Sequence, residues 1–498
     1  LRYAEPSGWT MDLSAVGQRI HGEDSQYAER GRGLSRVSSA AQPYSNDFLL
    51  TDLVIRKRWD DFEFTSSFGY AYQDVFERFE GPELANPKDS AVSPTFDALP
   101  ASYTQANRIN MLTAETRLAR ASPEGTGWII AASLLRNEAR VRREMDLPVF
   151  DSTLTGVRNK VEEATLYGEG TVQPVPRITV TVGGRLTYSR LSGQPEDVAP
   201  SFALKLDTLA AASRSETRLL PSIALAWRAN ARTTAFARMQ QGFRPGGIAV
   251  RREFVQRYRG DRVTMAEAGM RFRSREIDLE MSASWTDWRD IQADLIDGYG
   301  FPTTANIGDG RVLSVGLASR WRPANGLEFD AALYFNRSRV MDHSLTLTVT
   351  EILAANPALP IDLPREGIPI TGAAMRNATI TSVNRLPNIA GTTARVGFAY
   401  ARPLSDRLDF QINGFARYVG KSILGIGPIL GQLQGDYFDT GLEAGIGSAN
   451  TRVTLSLTNL LDSRGNRFAL GSPFLVRDRN QITPLKPRSI RIGVQFGF

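Results

Sequence analysis

The sequence predicts an all-β protein, a transmembrane antiparallel β-barrel, on three observations. Apolar and polar residues alternate with period two in stretches of roughly 10 to 15 residues, the pattern of strands with one apolar and one wet face. Connections between these stretches alternate between short and long, and the last stretch runs to an aromatic residue, Phe498.

The first observation is carried by segments such as Leu327–Asn336. There Leu327, Phe329, Ala331, Leu333 and Phe335 share one face, and Glu328, Asp330 and Asn336 share the other. Ile277–Trp285 and Leu408–Asn413 repeat the scheme. Charges at strict alternate positions along strands this long suit a wide barrel with a wet lumen better than a soluble sandwich. Eighteen stretches are read in this way: 9–19, 48–59, 62–76, 107–120, 127–143, 160–172, 176–190, 217–229, 232–242, 263–273, 276–292, 311–322, 326–340, 391–402, 406–420, 437–446, 450–458 and 488–498.

The connections follow the outer-membrane plan of short periplasmic turns and long external loops. Short ones lie at 59–62, 173–176, 229–232, 274–276, 323–326, 403–405 and 447–450. Long ones include 77–106, 191–216, 341–390 and 459–487. Five of the seven tryptophans, Trp9, Trp59, Trp128, Trp227 and Trp321, sit near short turns, where an interfacial aromatic girdle belongs. Trp285 and Trp288 are placed toward the opposite rim, with Tyr70, Tyr72 and Tyr418. In the last stretch Ile490, Ile492, Val494, Phe496 and Phe498 share one face.

Composition is compatible with this reading and narrows the alternatives. At 498 residues the chain exceeds one compact soluble core. Its hydrophobic content of 42% and charged content of 22% are averages that alternating faces also produce. No apolar run reaches the ~18 residues of a membrane helix, so a helical membrane protein is excluded. Cysteine is absent, which removes disulfides and thiolate chemistry, and the net charge of +6 is spread without a basic block, so no nucleic-acid footprint is read. The chain opens on Leu1 with no leader sequence, and an N-terminal part is expected to be missing.

Specific motifs then point to a family. Asn459-Leu460-Leu461-Asp462, Asn466-Arg467-Phe468 and Pro484-Leu485-Lys486-Pro487-Arg488 before the closing strand resemble the C-terminus of TonB-dependent receptors. Gln241–Gly247, Glu267–Arg271, Trp288–Gln292 and Leu386-Pro387-Asn388 resemble the same family in the same order, so the resemblance covers roughly 225 to 498. It implies a 22-strand barrel filled by an N-terminal plug, energised through that plug by the TonB–ExbB–ExbD complex and importing a scarce nutrient, such as a siderophore-like iron chelate. No plug and no TonB-docking box is read here. About 18 of 22 strands are then present in one domain over 1–498, Leu1–Ala4 is the tail of the fourth strand, and Glu5–Gly8 is the turn after it. A passive diffusion porin is the alternative.

Neither catalysis nor a metal or cofactor site is read. The two histidines, His21 and His343, fall in expected external loops, without a nucleophile motif nearby. Asp287, Asp290, Asp294 and Asp297 crowd one loop with no cage spacing. Gly425, Gly427 and Gly431 lack the spacing of a phosphate loop. Inward by alternation, Glu267, Arg271, Glu328, Asp330, Arg417 and Arg491 are candidate plug contacts through charge-assisted hydrogen bonds. Phe243, Arg244, Arg251, Arg252 and Phe254 are candidate ligand residues of one loop for an anionic or aromatic cargo. The same arginines suit the phosphates of surrounding lipopolysaccharide equally.

Overall fold

The computed structural model describes all residues except 82–100, 122–124, 148–149, 198–211, 252–253, 297–300, 344–384, 427–430, 449, 468–470, 475–480 and 497–498. The described residues are strands and connections, with no helix. In chain order the strands are β1 (Arg2–Ala4), β2 (Trp9–Gly22), β3 (Ala28–Glu29), β4 (Tyr44–Trp59), β5 (Phe62–Glu80), β6 (Ser102–Ala121), β7 (Gly127–Leu147), β8 (Phe150–Val175) and β9 (Ile178–Glu196). There follow β10 (Ala212–Arg228), β11 (Thr233–Arg244), β12 (Gly247–Arg251), β13 (Phe254–Tyr258), β14 (Asp261–Arg273), β15 (Ile277–Arg289), β16 (Gln292–Ile296), β17 (Pro302–Asn306) and β18 (Gly308–Ala324). The last are β19 (Leu327–His343), β20 (Thr392–Ser405), β21 (Leu408–Val419), β22 (Ser422–Ile423), β23 (Leu433–Gln434), β24 (Tyr437–Gly447), β25 (Thr451–Thr458), β26 (Gln481–Ile482) and β27 (Ser489–Phe496).

One 19-stranded antiparallel sheet holds β1, β2, β4–β11, β14, β15, β18–β21, β24, β25 and β27. Each strand pairs with the next one in the chain, the topology that short turns permit. Each of the eighteen stretches overlaps one of these strands, though the bounds differ. The nineteenth, β1, pairs Tyr3 with Met11 after a turn at Glu5–Gly8, in which Gly8 takes a φ of +88°. Among the described residues no pairing joins β27 to β1. The remaining strands form four two-stranded sheets: β12–β13, β16–β17, β22–β23 and β3–β26.

Register carries the alternation from strand to strand. Leu13, Leu53, Phe68, Ala114, Leu134, Ala164 and Tyr188 stand opposite one another in a continuous outward row. One residue along, Asp52, Gly69, Thr113, Leu135, Glu163 and Ser189 make an inward row. Outward side chains stay exposed although large and apolar: Leu134 and Leu166 are each 61% exposed and Leu219 68%. Such a surface would be costly in water and is what a bilayer requires. At the short-turn end the outward aromatics form a girdle: Trp59 stacks on Phe62 at 5.9 Å, Phe62 meets Trp128 at 6.1 Å, and Trp321 stacks on Phe329 at 5.6 Å. Lys57 reaches over Trp9, its ammonium 4.9 Å from the ring, as a cation at the interface does.

Several expectations change at the other end. The stretch 276–292 is not one strand, because Asp290 has a φ of +53° and β15 stops at Arg289. Strands continue far into the expected long loops, β8 from Phe150 and β10 from Ala212. Beyond the bilayer both faces of the wall are wet, so no alternation marks these extensions. His21 and His343 accordingly lie in β2 and β19 rather than in loops. Trp288, next to the end of β15, packs against a buried cluster of Ile291, Ile307, Val340, Leu386 and Ile426.

Candidate functional site at the capped mouth of the barrel

The long-loop end of the sheet is covered by its own connections. The chain leaving β11 passes Pro245, Gly246 and Gly247 into the β12–β13 hairpin, and the chain leaving β15 turns at Asp290 into the β16–β17 hairpin. Both hairpins are fastened at Asp261, the first residue of β14. Its carboxylate, on a residue only 3% exposed, accepts from the Arg244 guanidinium at 2.6 Å, from Trp288 Nε1 at 3.2 Å and from the Gln292 amide at 3.4 Å. Two side-chain amides complete the joint. Gln292 Nε2 donates to the carbonyls of Pro245 and Arg259 at 2.9 and 3.0 Å. Asn306 donates to Arg259 and Asp290 carbonyls and accepts from the Arg259 amide at 2.6 Å. These groups satisfy backbone atoms that irregular, half-buried turns leave without ladder partners.

From this joint the hairpins reach across the mouth. Asn159, inward on β8, donates to Ile248 O at 2.9 Å and accepts from Ile248 N at 3.4 Å, mimicking a strand edge for β12. Phe301, between β16 and β17, meets Tyr103 of β6 at 6.0 Å and Phe474, from the β25–β27 connection, at 5.3 Å, with both rings edge-on. Met145 and Leu154 complete that cluster, and Tyr103 is fully buried. Ser472 Oγ donates to Glu80 O at 2.5 Å, tying the last long connection to the end of β5. Edge-to-face rings and buried aliphatic contacts of this kind hold elements that share no ladder.

Two recesses lie within this cap. One of about 370 Å³ opens between Gln105, Val157, Asn159, Tyr258, Asp294 and Thr304. Thr303 Oγ1, buried on its wall, has no hydrogen-bond partner among the described residues. The other, about 350 Å³, is lined by Trp288, Ile291, Asp294, Leu386, Asn388 and Leu424. Asp294 contributes to both, and its carboxylate accepts from Thr304 Oγ1 at 2.8 Å. Burial raises the Tyr258 phenol above its ordinary value, opposed by the Arg244 charge. Apolar walls with few fixed polar groups suit a small organic ligand.

The candidate residues fall into distinct places. Phe243 lies beneath the Arg218 guanidinium at 5.7 Å. Arg244 is committed to Asp261, which makes it a fastening of the cap. Arg251 and Phe254 oppose each other at the end of the β12–β13 hairpin, and Arg252 lies outside the described residues. Of the four aspartates, Asp287 pairs with Arg289 and Arg311 at 3.3 and 3.2 Å, Asp290 with Arg259 at 2.7 Å, and Asp297 lies outside the described residues.

On the lumen wall four of the six charges are paired across strands. Glu267 meets Arg238 at 2.6 Å, Arg271 meets Glu280 at 3.2 Å, Glu328 meets Arg320 and Arg322, each at 3.2 Å, and Asp330 pairs with Arg395. Arg417 stands in register between Asp439 and Arg395 without an ion pair among the described residues, and Arg491 has none there either. Sequence reasoning missed Asp261, Asn159, Gln292, Asn306 and Tyr258. Pro245-Gly246-Gly247 was the available signal: a Cβ on Gly247 would stand 2.1 Å from Tyr258 Oη, so that ring lies flush against the backbone.

Residues 18–460 match the family model described as TonB dependent receptor-like, beta-barrel. Solved structures share the fold at low identity. The ferric yersiniabactin uptake receptor of Yersinia pestis aligns over 99% of this chain and 68% of its own, at 14% identity and a TM-score of 0.77. The siderophore receptor PiuA of Acinetobacter baumannii aligns over 99% and 73%, at 11% identity and 0.70. A copper transporter, OprC, aligns over 99% and 76%, at 12% identity and 0.61. No curated protein sequence matches the chain.

Proposed function

The chain belongs to the TonB-dependent receptor β-barrel family, and from that membership we propose that it is the barrel of an active importer whose cargo is a siderophore-like iron chelate or another small organic ligand. As a family member it is a multi-pass β-barrel of the bacterial outer membrane and serves ligand import; the family is one of transporters and receptors. The observation that carries the finer reading is the cap. Connections from widely separated strands meet over the mouth and enclose two recesses that share Asp294. Buried aromatic contacts across the entrance narrow the open path that free diffusion needs.

Ligand recognition falls to the cap, with Tyr258, Asn159 and Asp294 as polar groups and Trp288 as an apolar wall. The plug and about four further strands of a 22-strand barrel are supplied outside residues 1–498, and TonB with ExbB and ExbD acts through that plug. Arg417 and Arg491, without an ion pair among the described residues, are the stronger plug contacts. Arg251, Arg252, Phe243 and Phe254 remain candidates for the outermost ligand contacts, and Arg244 supports them. The cargo class is supported by the titles of structural neighbours that are ferric-chelate receptors, while the copper transporter marks the range of cargo on this fold.

Tryptophan fluorescence of the intact receptor, titrated with a panel of ferric chelates, tests this reading. Saturable quenching that loses amplitude in Trp288→Phe supports it. No saturable response to any chelate, together with steady ion conductance in a planar bilayer, favours the passive porin.

A further inference from the structure

The two recesses of the cap meet at one carboxylate, and the charges around it limit what that carboxylate can take. Asp294 is the middle residue of β16, in register with Thr304 of β17, and it is exposed. Thr304 Oγ1 donates to it at 2.8 Å, and it has no ion pair among the described residues. Its neighbours differ. Arg244 holds Asp261 at 2.6 Å, Arg259 holds Asp290 at 2.7 Å, and Arg289 and Arg311 both hold Asp287. Of the four aspartates Asp261, Asp287, Asp290 and Asp294, only Asp294 lacks a cation among the described residues.

An aromatic ring lines each recess beside it. In the recess of about 350 Å³ it shares the wall with Trp288, and it is the one charged side chain among the described residues there. In the recess of about 370 Å³ it shares the wall with Tyr258. Arg143 also lines this second recess, but it is 3% exposed and its guanidinium lies over the Phe301 ring at 5.6 Å, inside the aromatic cluster. The Trp288 side is therefore the place for a cation. A carboxylate attracts it by charge-assisted hydrogen bonds, and an indole adds the attraction of its ring quadrupole. One carboxylate offers too few oxygen ligands for a divalent metal ion, whereas Ile291, Leu386 and Leu424 give the carbon atoms of an organic cation an apolar wall.

We propose that the cap selects its cargo by a cationic arm, an organic ammonium group seated on Asp294 beside Trp288 with its carbon chain against Ile291, Leu386 and Leu424. At about 350 Å³ the recess stands near the lower end of small-molecule sites, which span roughly 300–1,000 Å³, so it holds an arm rather than a whole chelate. The arginines of the β11–β13 segment suggest an anionic cargo, but Arg244 is committed to Asp261 and does not serve that end. The inference rests on the cap being the ligand site and names the charge of the group it takes.

Calorimetry and saturation-transfer nuclear magnetic resonance on the intact receptor in detergent test it, with phenethylammonium, 2-phenylethanol and phenylacetate as cationic, neutral and anionic probes of similar size. Saturable binding of phenethylammonium is expected, about tenfold or more tighter than that of the alcohol or the carboxylate, and weakened about tenfold or more in Asp294→Asn. Heat-modifiable gel mobility confirms that the variant is folded, and if it is not, the charge series on the wild type decides alone. The proposal is overturned if phenethylammonium does not bind saturably, if the alcohol or phenylacetate binds as tightly, or if the folded variant binds phenethylammonium as tightly as the wild type. TonB-dependent uptake is a separate measurement that any cargo charge permits, so these outcomes remove the cationic arm and leave import standing, while loss of uptake leaves the binding result standing.

Discussion

Arg244 and Asp261 form a 2.6 Å ion pair in which the carboxylate side chain is only 4% exposed while the guanidinium side chain is 54% exposed. The carboxylate also serves Trp288 and Gln292, so one buried group holds the roots of two hairpins. Asp261→Ala leaves those donors without their acceptor, and the local cost is about 1–3 kcal/mol. Amide hydrogen exchange is expected to speed up in residues 245–260 and 290–307 of the variant while β14 and β15 stay protected. Unchanged exchange there would show that the pair does not fasten the cap.

Gly326, in the turn between β18 and β19, has a φ of +76°, and a Cβ there would stand 2.0 Å from Ala401 O. Gly326→Ala combines left-handed strain with a backbone clash and is expected to lower the barrel's melting temperature, at a cost above about 1 kcal/mol. Gly17→Ala, with nothing near its added Cβ, is the control and leaves the melting temperature unchanged.

The Tyr258 phenol, raised by burial, gives the cap a pH dependence. Because the folded state favours the protonated phenol, its contribution is fully present below the ordinary tyrosine value of about 10 and is lost as pH rises through the raised folded value. Ultraviolet titration is expected to show a late-ionising tyrosine component that loses one residue in Tyr258→Phe. Coincident ionisation of all tyrosines would contradict the burial.

The barrel was legible in the sequence because lipid imposes a rule on every outward residue. Leu53, Phe68 and Leu134 must be apolar and their neighbours need not be, which leaves a period of two. The cap obeys no such rule. Arg244, Asp261, Trp288 and Gln292 meet through folding of connections wet on both sides, and no periodicity links them. Asn459, noted only as part of a family motif, proves structural: its Nδ2 donates to Lys486 O at 2.8 Å and Ser463 O at 3.0 Å, bringing the exit of β25 to the entrance of β27. The lumen candidates share the face opposite the outward row, and alternation could not show which of them were already paired.

That pairing separates the lumen arginines. Glu267 and Arg271 have ion-pair partners on the wall, whereas Arg417 and Arg491 have none among the described residues. In the intact receptor, Arg417→Glu with Arg491→Glu is expected to loosen the plug and raise single-channel conductance in planar bilayers. Glu267→Gln, which disturbs a screened wall pair of roughly 0.2–1 kcal/mol, is expected to leave it near the wild-type level. Equal effects of the two would remove the assignment of Arg417 and Arg491.

The importer reading is tested most directly by uptake of radiolabelled ferric chelates into cells carrying the intact receptor, with TonB present or absent. Saturable accumulation of at least one chelate that requires both receptor and TonB is the predicted result. Receptor-dependent accumulation that is linear in chelate concentration and indifferent to TonB would contradict it.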